Sequence, residues 1–118
     1  MTIEGNVVLI LEDEPIIALS LEDLIEDAGG TSICAERVEQ AIAMIDEYRL
    51  DAAILDVNVH GRKSYPVAEV LQSRGIIFIF ATGYGDTLHP EQFKGVPTVV
   101  KPYSALDIER ALQAAALE

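Results

Sequence analysis

The acidic run Glu12-Asp13-Glu14, then Asp56, Thr82 and Lys101 are the residues whose types and spacing suggest chemistry. Each stands at the end of, or just past, a short apolar run: Val7–Leu11, Ala52–Leu55, Ile76–Phe80 and Val96–Val100. If those runs are strands of one parallel sheet, the residues beyond them gather along its carboxyl edge, where open α/β sheets bind ligands. Clustered carboxylates repel one another and need a counter-charge. A hard divalent cation with oxygen ligands, such as Mg²⁺, meets that need. Asp56, alone at the end of a buried run, has the chemistry of a nucleophile that forms an acyl phosphate. Lys101 and Thr82 suit phosphoryl oxygens, the first by charge and the second by hydrogen bond. Taken singly, each has a plainer explanation. Acidic residues favour the first turn of a helix, a lone Asp caps one, Thr82 before Gly83 is a turn hydroxyl, and Lys101 is a surface lysine. Their arrival together on one edge points to a phosphoryl-handling site.

The elements that must position these residues alternate in period. Besides the four runs above, Thr31–Ala35 reads as a buried strand, and helical patterns fill the intervals. Ile17, Leu21, Leu24, Ile25 and Ala28 form one helical face, with Pro15 in the opening turn and Gly29-Gly30 at the end. Val38, Ala41, Ile42 and Ile45 form a second face, and Val67, Val70 and Leu71 a third, stopped by Gly75. Ser104 with Asp107 three residues on caps a last helix that turns Ile108, Ala111, Leu112 and Ala115 inward. Five strands alternating with helices predict a doubly wound α/β fold with right-handed crossovers and helices on both faces of a five-stranded parallel sheet. Between Phe80 and Val96, three glycines and Pro90 leave room for at most about two helical turns, near residues 86–93, so the fourth helix is expected to be short or irregular. No repeat, low-complexity stretch or linker interrupts the chain, and residues 1–118 read as a single domain.

Composition narrows the function. Of 118 residues, 20 are acidic and 8 basic, a formal net charge of −12, and 50% are hydrophobic, which describes one globular domain rather than a disordered chain. Scattered basic residues argue against nucleic acid, whose phosphates need clustered Lys and Arg. Apolar runs of five or six residues fall far short of the roughly 18–20 that span a bilayer. With no secretory signal pattern, the expectation is a cytoplasmic protein with no membrane partner. Cys34, the one cysteine, reads as a small buried hydrophobe. His60 and His89, without metal-ligand partners at useful spacing, read as solvated loop residues.

The segments Leu9-Ile10-Leu11-Glu12-Asp13-Glu14-Pro15, Ile54-Leu55-Asp56-Val57-Asn58, Phe80-Ala81-Thr82-Gly83 and Val100-Lys101-Pro102-Tyr103, in this order and spacing, resemble the response-regulator receiver domains of two-component signalling. The resemblance covers the whole chain and implies a flavodoxin-like (βα)5 fold with strand order 2-1-3-4-5. It implies that Asp56 accepts a phosphoryl group from a histidine kinase or a histidine phosphotransfer protein, and that Asp13, Asp56 and the backbone carbonyl of Asn58 bind Mg²⁺, with Glu12 acting through water. It further implies that Thr82 and Lys101 contact the phosphoryl oxygens, and that Lys101-Pro102 is a cis peptide. Ile16, Pro102 and Tyr103 are then the candidates for docking the phosphodonor's helix, and a downstream protein, not identified by the sequence, reads the switch.

The chain departs from that pattern in its turn after Asp56, in its switch position, and in a shorter stretch than usual between Thr82 and Lys101, consistent with a reduced fourth helix. After Asp56 it reads Val57-Asn58-Val59-His60-Gly61-Arg62-Lys63, without the usual Met-Pro turn. The position three before the lysine, normally the aromatic switch residue, is Thr98. The Phe80–Gly85 stretch resembles an alphaproteobacterial receiver subfamily with a Phe-Ala-Thr-Gly signature, in which Tyr84 is the candidate substitute for the switch. Asn58 and Tyr84 flank the path of an attacking water and are expected to tune the phosphoryl lifetime. Three other readings compete. A phosphatase of the haloacid-dehalogenase type needs a second acid where Asn58 stands. A nucleotide-binding domain needs a glycine-rich loop where Glu12-Asp13-Glu14 would repel a pyrophosphate. A phosphate-independent interaction module of receiver fold would have no need of the intact acidic and basic set.

Overall fold

The computed structural model describes residues 2–83 and 89–116. Five strands form the sheet: β1 (Val7–Leu11), β2 (Thr31–Ala35), β3 (Ala52–Asp56), β6 (Ile77–Thr82) and β7 (Thr98–Val100), with β4 (Asn58–Val59) and β5 (Arg62–Lys63) forming a separate two-stranded hairpin. All pairings within the sheet are parallel, and the spatial order is β2-β1-β3-β6-β7. Counting only those five strands along the chain, this is the expected 2-1-3-4-5. The helices are α1 (Pro15–Asp27), α2 (Val38–Glu47), α3 (Tyr65–Ser73) and α4 (Ala105–Ala116).

The two-residue period of the strands divides the core into two layers. Leu9, Leu11, Ala53, Leu55, Phe78 and Phe80 face α2 and α3, whereas Val8, Ile10, Ala52, Ile54, Ile79 and Ala81 face α1 and α4. The central strands are thus buried on both sides, and their near-continuous apolar runs follow from that. The Cα radius of gyration is 12.5 Å.

Local chemistry sets the element ends. Pro15 lies in the first turn of α1, where its missing N–H costs nothing. Before α4, the Asp107 amide donates to Ser104 Oγ at 3.2 Å and the Ser104 amide to Asp107 Oδ2 at 2.9 Å, the reciprocal cap expected from the sequence. A Cβ on Gly30 would lie 2.9 Å from the Ile3 carbonyl oxygen. The close approach that glycine permits lets Ile3 bury completely beneath α1.

Three elements differ from expectation. β7 begins at Thr98 rather than Val96, because Pro97 has no N–H to give a ladder. β6 runs on to Thr82, which brings that residue into the sheet opposite Val100. Of the expected fourth helix, the described part is a single 3-10 turn, Glu91–Phe93, preceded by His89 and Pro90 outside any helix, and residues 86–88 fall outside the described residues.

Candidate functional site

The carboxyl edge assembles the expected residues. β1 delivers Glu12 and Asp13, β3 ends on Asp56, β6 ends on Thr82, and Lys101 follows β7. Parallel register forces this: Leu11 pairs with Leu55, Asp56 with Ala81 and Thr82 with Val100, so the strand ends are level. Asp13, Asp56, Asn58, Thr82 and Lys101 line a cleft of about 430 Å³. The Lys101–Pro102 peptide is cis, as the resemblance implies.

Lys101 is the cation at the centre. Its Nζ lies 2.9 Å from Glu12 Oε1 and 3.8 Å from Asp56 Oδ2. The Glu12 side chain is 1% exposed, and its Oε2 accepts the Glu14 amide at 3.2 Å. Burial alone would depress the Lys101 ammonium, but Glu12 and Asp56 more than offset it and hold it above its ordinary value. Asp56 moves the other way. Burial, then the charge of Glu12, pushes its carboxyl up to about 7, with Lys101 only partly opposing them. Burial also acts upward on Asp13, but hydrogen bonds, led by the His60 amide at 2.9 Å, outweigh it and hold the carboxyl below its ordinary value.

That amide comes from a feature sequence reasoning missed. Where the Met-Pro turn is absent, β4 and β5 pair antiparallel, with Asn58 opposite Lys63 and Val59 opposite Arg62. His60 and Gly61 turn the corner with φ of 50° and 78°, the left-handed pair of a tight two-residue hairpin. The hairpin aims the His60 N–H at Asp13, while the imidazole stays exposed, as expected. An ion pair from Arg62 to Glu39 ties the hairpin to α2.

The donor set suits a divalent cation. One oxygen each from Glu12, Asp13 and Asp56 lie within 4.8 Å of one another. Three carboxylates against one ammonium leave negative charge uncompensated, which adds to burial in raising the Asp56 carboxyl. Mg²⁺ takes oxygen donors, one or two of them carboxylates and the rest mostly waters.

Other expected residues fall as follows. Ile16 is 84% exposed on α1, Pro102 is exposed and Tyr103 is half-buried. The Tyr103 hydroxyl has no hydrogen-bond partner among the described residues. Burial, then the charges of Glu12 and Asp56, push its phenol well above the usual value. Tyr84 lies outside the described residues. Cys34 is half-buried rather than buried, and its thiol is pushed up to about 12 by burial and by a hydrogen bond with Glu22. His89 is not the solvated residue the sequence suggested. It is half-buried, stacks on Phe80 and bonds Tyr65 and Thr98. Its position in a glycine- and proline-rich stretch hid this, because its partners lie 24 and 9 positions away in the chain.

No family model matches the chain. Among solved structures, SdrG from Sphingomonas melonis Fr1 superposes with a TM-score of 0.80 at 39% identity, over 98% of this chain and 99% of that one. The BeF3-activated conformation of SdrG from Pseudomonas melonis Fr1 superposes with a TM-score of 0.77 at 43% identity, over 92% and 93%. The PhyR response regulator REC domain of Erythrobacter litoralis shares the fold, with a TM-score of 0.76 at 24% identity over 97% and 92%. A curated relative, the positive alginate biosynthesis regulatory protein of Pseudomonas aeruginosa PAO1, is 31% identical over 114 residues. That match covers 92% of this chain and 46% of the relative, so the chain spans about half the length of the curated protein it matches. With the fold, the strand order and the acidic edge, these likenesses show that the chain belongs to the response-regulator receiver domains, a signalling family rather than a class of conventional enzymes. Within that family, its SdrG and PhyR relatives fit the alphaproteobacterial subfamily that the Phe-Ala-Thr-Gly signature resembles.

Proposed function

We propose that the chain is a single receiver domain that takes a phosphoryl group onto Asp56 from a histidine kinase or a histidine phosphotransfer protein, in a Mg²⁺-dependent reaction, and passes the change on through protein contacts. The observation that carries this reading is the level carboxyl edge, which sets the Asp56 carboxylate beside an ammonium, a buried threonine and two further carboxylates in one open cleft.

The chemistry follows from those groups. An ionised Asp56 oxygen attacks the phosphorus of a phosphohistidine. The P–N bond breaks, the imidazole leaves with the bond's electron pair and takes up a proton, and an acyl phosphate remains. Glu12, Asp13 and Asp56, with the Asn58 carbonyl, would hold the divalent cation, which when bound offsets the charge on the phosphoryl oxygens. Lys101 gives up part of its pairing with Glu12 to meet one phosphoryl oxygen, and the Thr82 hydroxyl donates to another. Hydrolysis reverses the modification: water attacks phosphorus, the P–O bond to Asp56 breaks, and inorganic phosphate leaves. Asn58 and Tyr84 tune that step. No helix of the described residues is long and apolar enough to cross a membrane, in keeping with a cytoplasmic partner system.

Intact mass after incubation with Mg²⁺ and acetyl phosphate tests the reading. One added phosphoryl group is expected in the wild type and none in Asp56→Asn. The same time course on Tyr84→Ala reads the lifetime, with faster loss of the group expected. An unmodified wild type, with both acetyl phosphate and a phosphorylated donor protein, would favour the phosphate-independent interaction module instead.

A further inference from the structure

The aromatic cluster beneath α3 holds a side chain that the phosphoryl chemistry does not use. The His89 ring lies 4.3 Å from the Phe80 ring, centroid to centroid, tilted by 33°. Its Nδ1 is 3.0 Å from the Tyr65 hydroxyl and its Nε2 is 2.8 Å from the Thr98 hydroxyl. Tyr65 begins α3 and Thr98 begins β7, so one imidazole ties a helix to an edge strand across the strand that ends at Thr82. The two-residue period puts Phe80 and Thr82 on one face of β6, and Phe80 pairs with Thr98. His89 therefore covers the face that carries the Thr82 side chain. It also stands seven positions beyond Thr82 on the segment that leaves the site. The chain connects the two residues by one route and the Phe80 ring by another.

We propose that His89 is a positioning residue of the switch: the Tyr65–His89–Thr98 bridge holds the end of β6 in the resting arrangement, and loading of Asp56 releases it. The proposal rests on the phosphoryl-acceptor reading above. Thr98 occupies the position where an aromatic ring is missing, and the ring it recruits comes from His89 instead. The bridge needs no change of protonation, since a neutral imidazole offers one donor and one acceptor and each hydroxyl offers both. A net hydrogen bond of ordinary strength shifts a two-state balance by roughly fivefold. Losing one bond makes the domain easier to load by that factor.

Thr98→Val and Tyr65→Phe each remove one hydroxyl and keep the shape of the side chain. Amide and imidazole nitrogen NMR spectra of each full chain, alone and titrated with Mg²⁺ plus beryllofluoride, test the bridge, with Asp56→Asn as the control that does not load. In the wild type, the His89 ring nitrogens are expected to shift on loading. In the unloaded variants, amide peaks are expected part-way along the line between unloaded and loaded wild type, with half-saturating beryllofluoride lowered roughly fivefold. Variant peaks off that line with unchanged half-saturation would mean a merely structural bond and overturn the proposal. Response of Thr82 and Lys101 to beryllofluoride with a motionless His89 ring would overturn it too, while leaving the acceptor reading in place. Silence at every residue would sink both.

Discussion

The nucleophilic role proposed for Asp56 requires an ionised carboxylate, yet its surroundings hold it protonated up to about pH 7. Two causes answer for this, burial first. Burial disfavours the charge, and Glu12, already engaged by Lys101, repels it. The sign of the pH effect follows. The folded Asp56 carboxyl lies above its ordinary value of 3.8, so between about pH 4 and pH 7 the folded state holds a proton that the unfolded chain has released. In the absence of a cation, Asp56 therefore lowers stability as pH rises through that window, and a divalent cation that takes the ionised form offsets the loss. Glu12→Gln is expected to move the Asp56 titration well below 7, leaving Lys101 with Asp56 as its remaining close carboxylate. Carboxyl-carbon NMR of Asp56 reads this directly, and an unmoved midpoint would assign the shift to burial alone. These residues were legible in sequence because each ends or follows an apolar run, and parallel register brings such ends together. His89 was not, since a polar ring in a Gly/Pro-rich stretch carries no periodicity, and its partners are set by tertiary packing.

At the scale of elements, strands and helices of five or more residues announced themselves by period, whereas the β4–β5 hairpin did not. Two-residue strands are too short for alternation to register, and the His60-Gly61 corner lacks the Asn-Gly pair that signals such turns most strongly. Its function is local: it delivers one N–H to Asp13. Gly61 has φ of 78°, and a Cβ there would meet no atom within 4 Å, so substitution costs backbone strain alone. Gly61→Ala is expected to lower the unfolding free energy by about 1–2 kcal/mol, and Gly61→Asn by less, because Asn tolerates the left-handed region. Urea denaturation midpoints measure both. Equal costs for the two would mean that side-chain packing at the corner, not backbone conformation, sets the penalty.

Over the whole molecule, the described residues include an exposed apolar surface beside the site, on α1. Ile16 and Leu19 on α1 are 84% and 58% exposed, and a cleft of about 340 Å³ lined by Ile17, Ser20, Lys101, Pro102 and Tyr103 lies beside them. A helix from a phosphodonor protein seated there would bring its histidine to Asp56. Ile16→Glu is expected to slow transfer from such a donor by about tenfold, the loss of one apolar anchor, with acetyl phosphate labelling unchanged in the same mass assay. Equal slowing of both would place Ile16 in the folding of the site. The sheet's outer edge at β7 constrains association in another way. It is three residues long, with Pro97 before it and Pro102 two positions after it, neither of which has an amide hydrogen. So little backbone is free there that a foreign strand has almost nothing to anneal to. Self-association on that side must be made by side chains such as Val100 and Leu106, 47% and 54% exposed. Contacts of that kind leave the five-stranded sheet without an added strand.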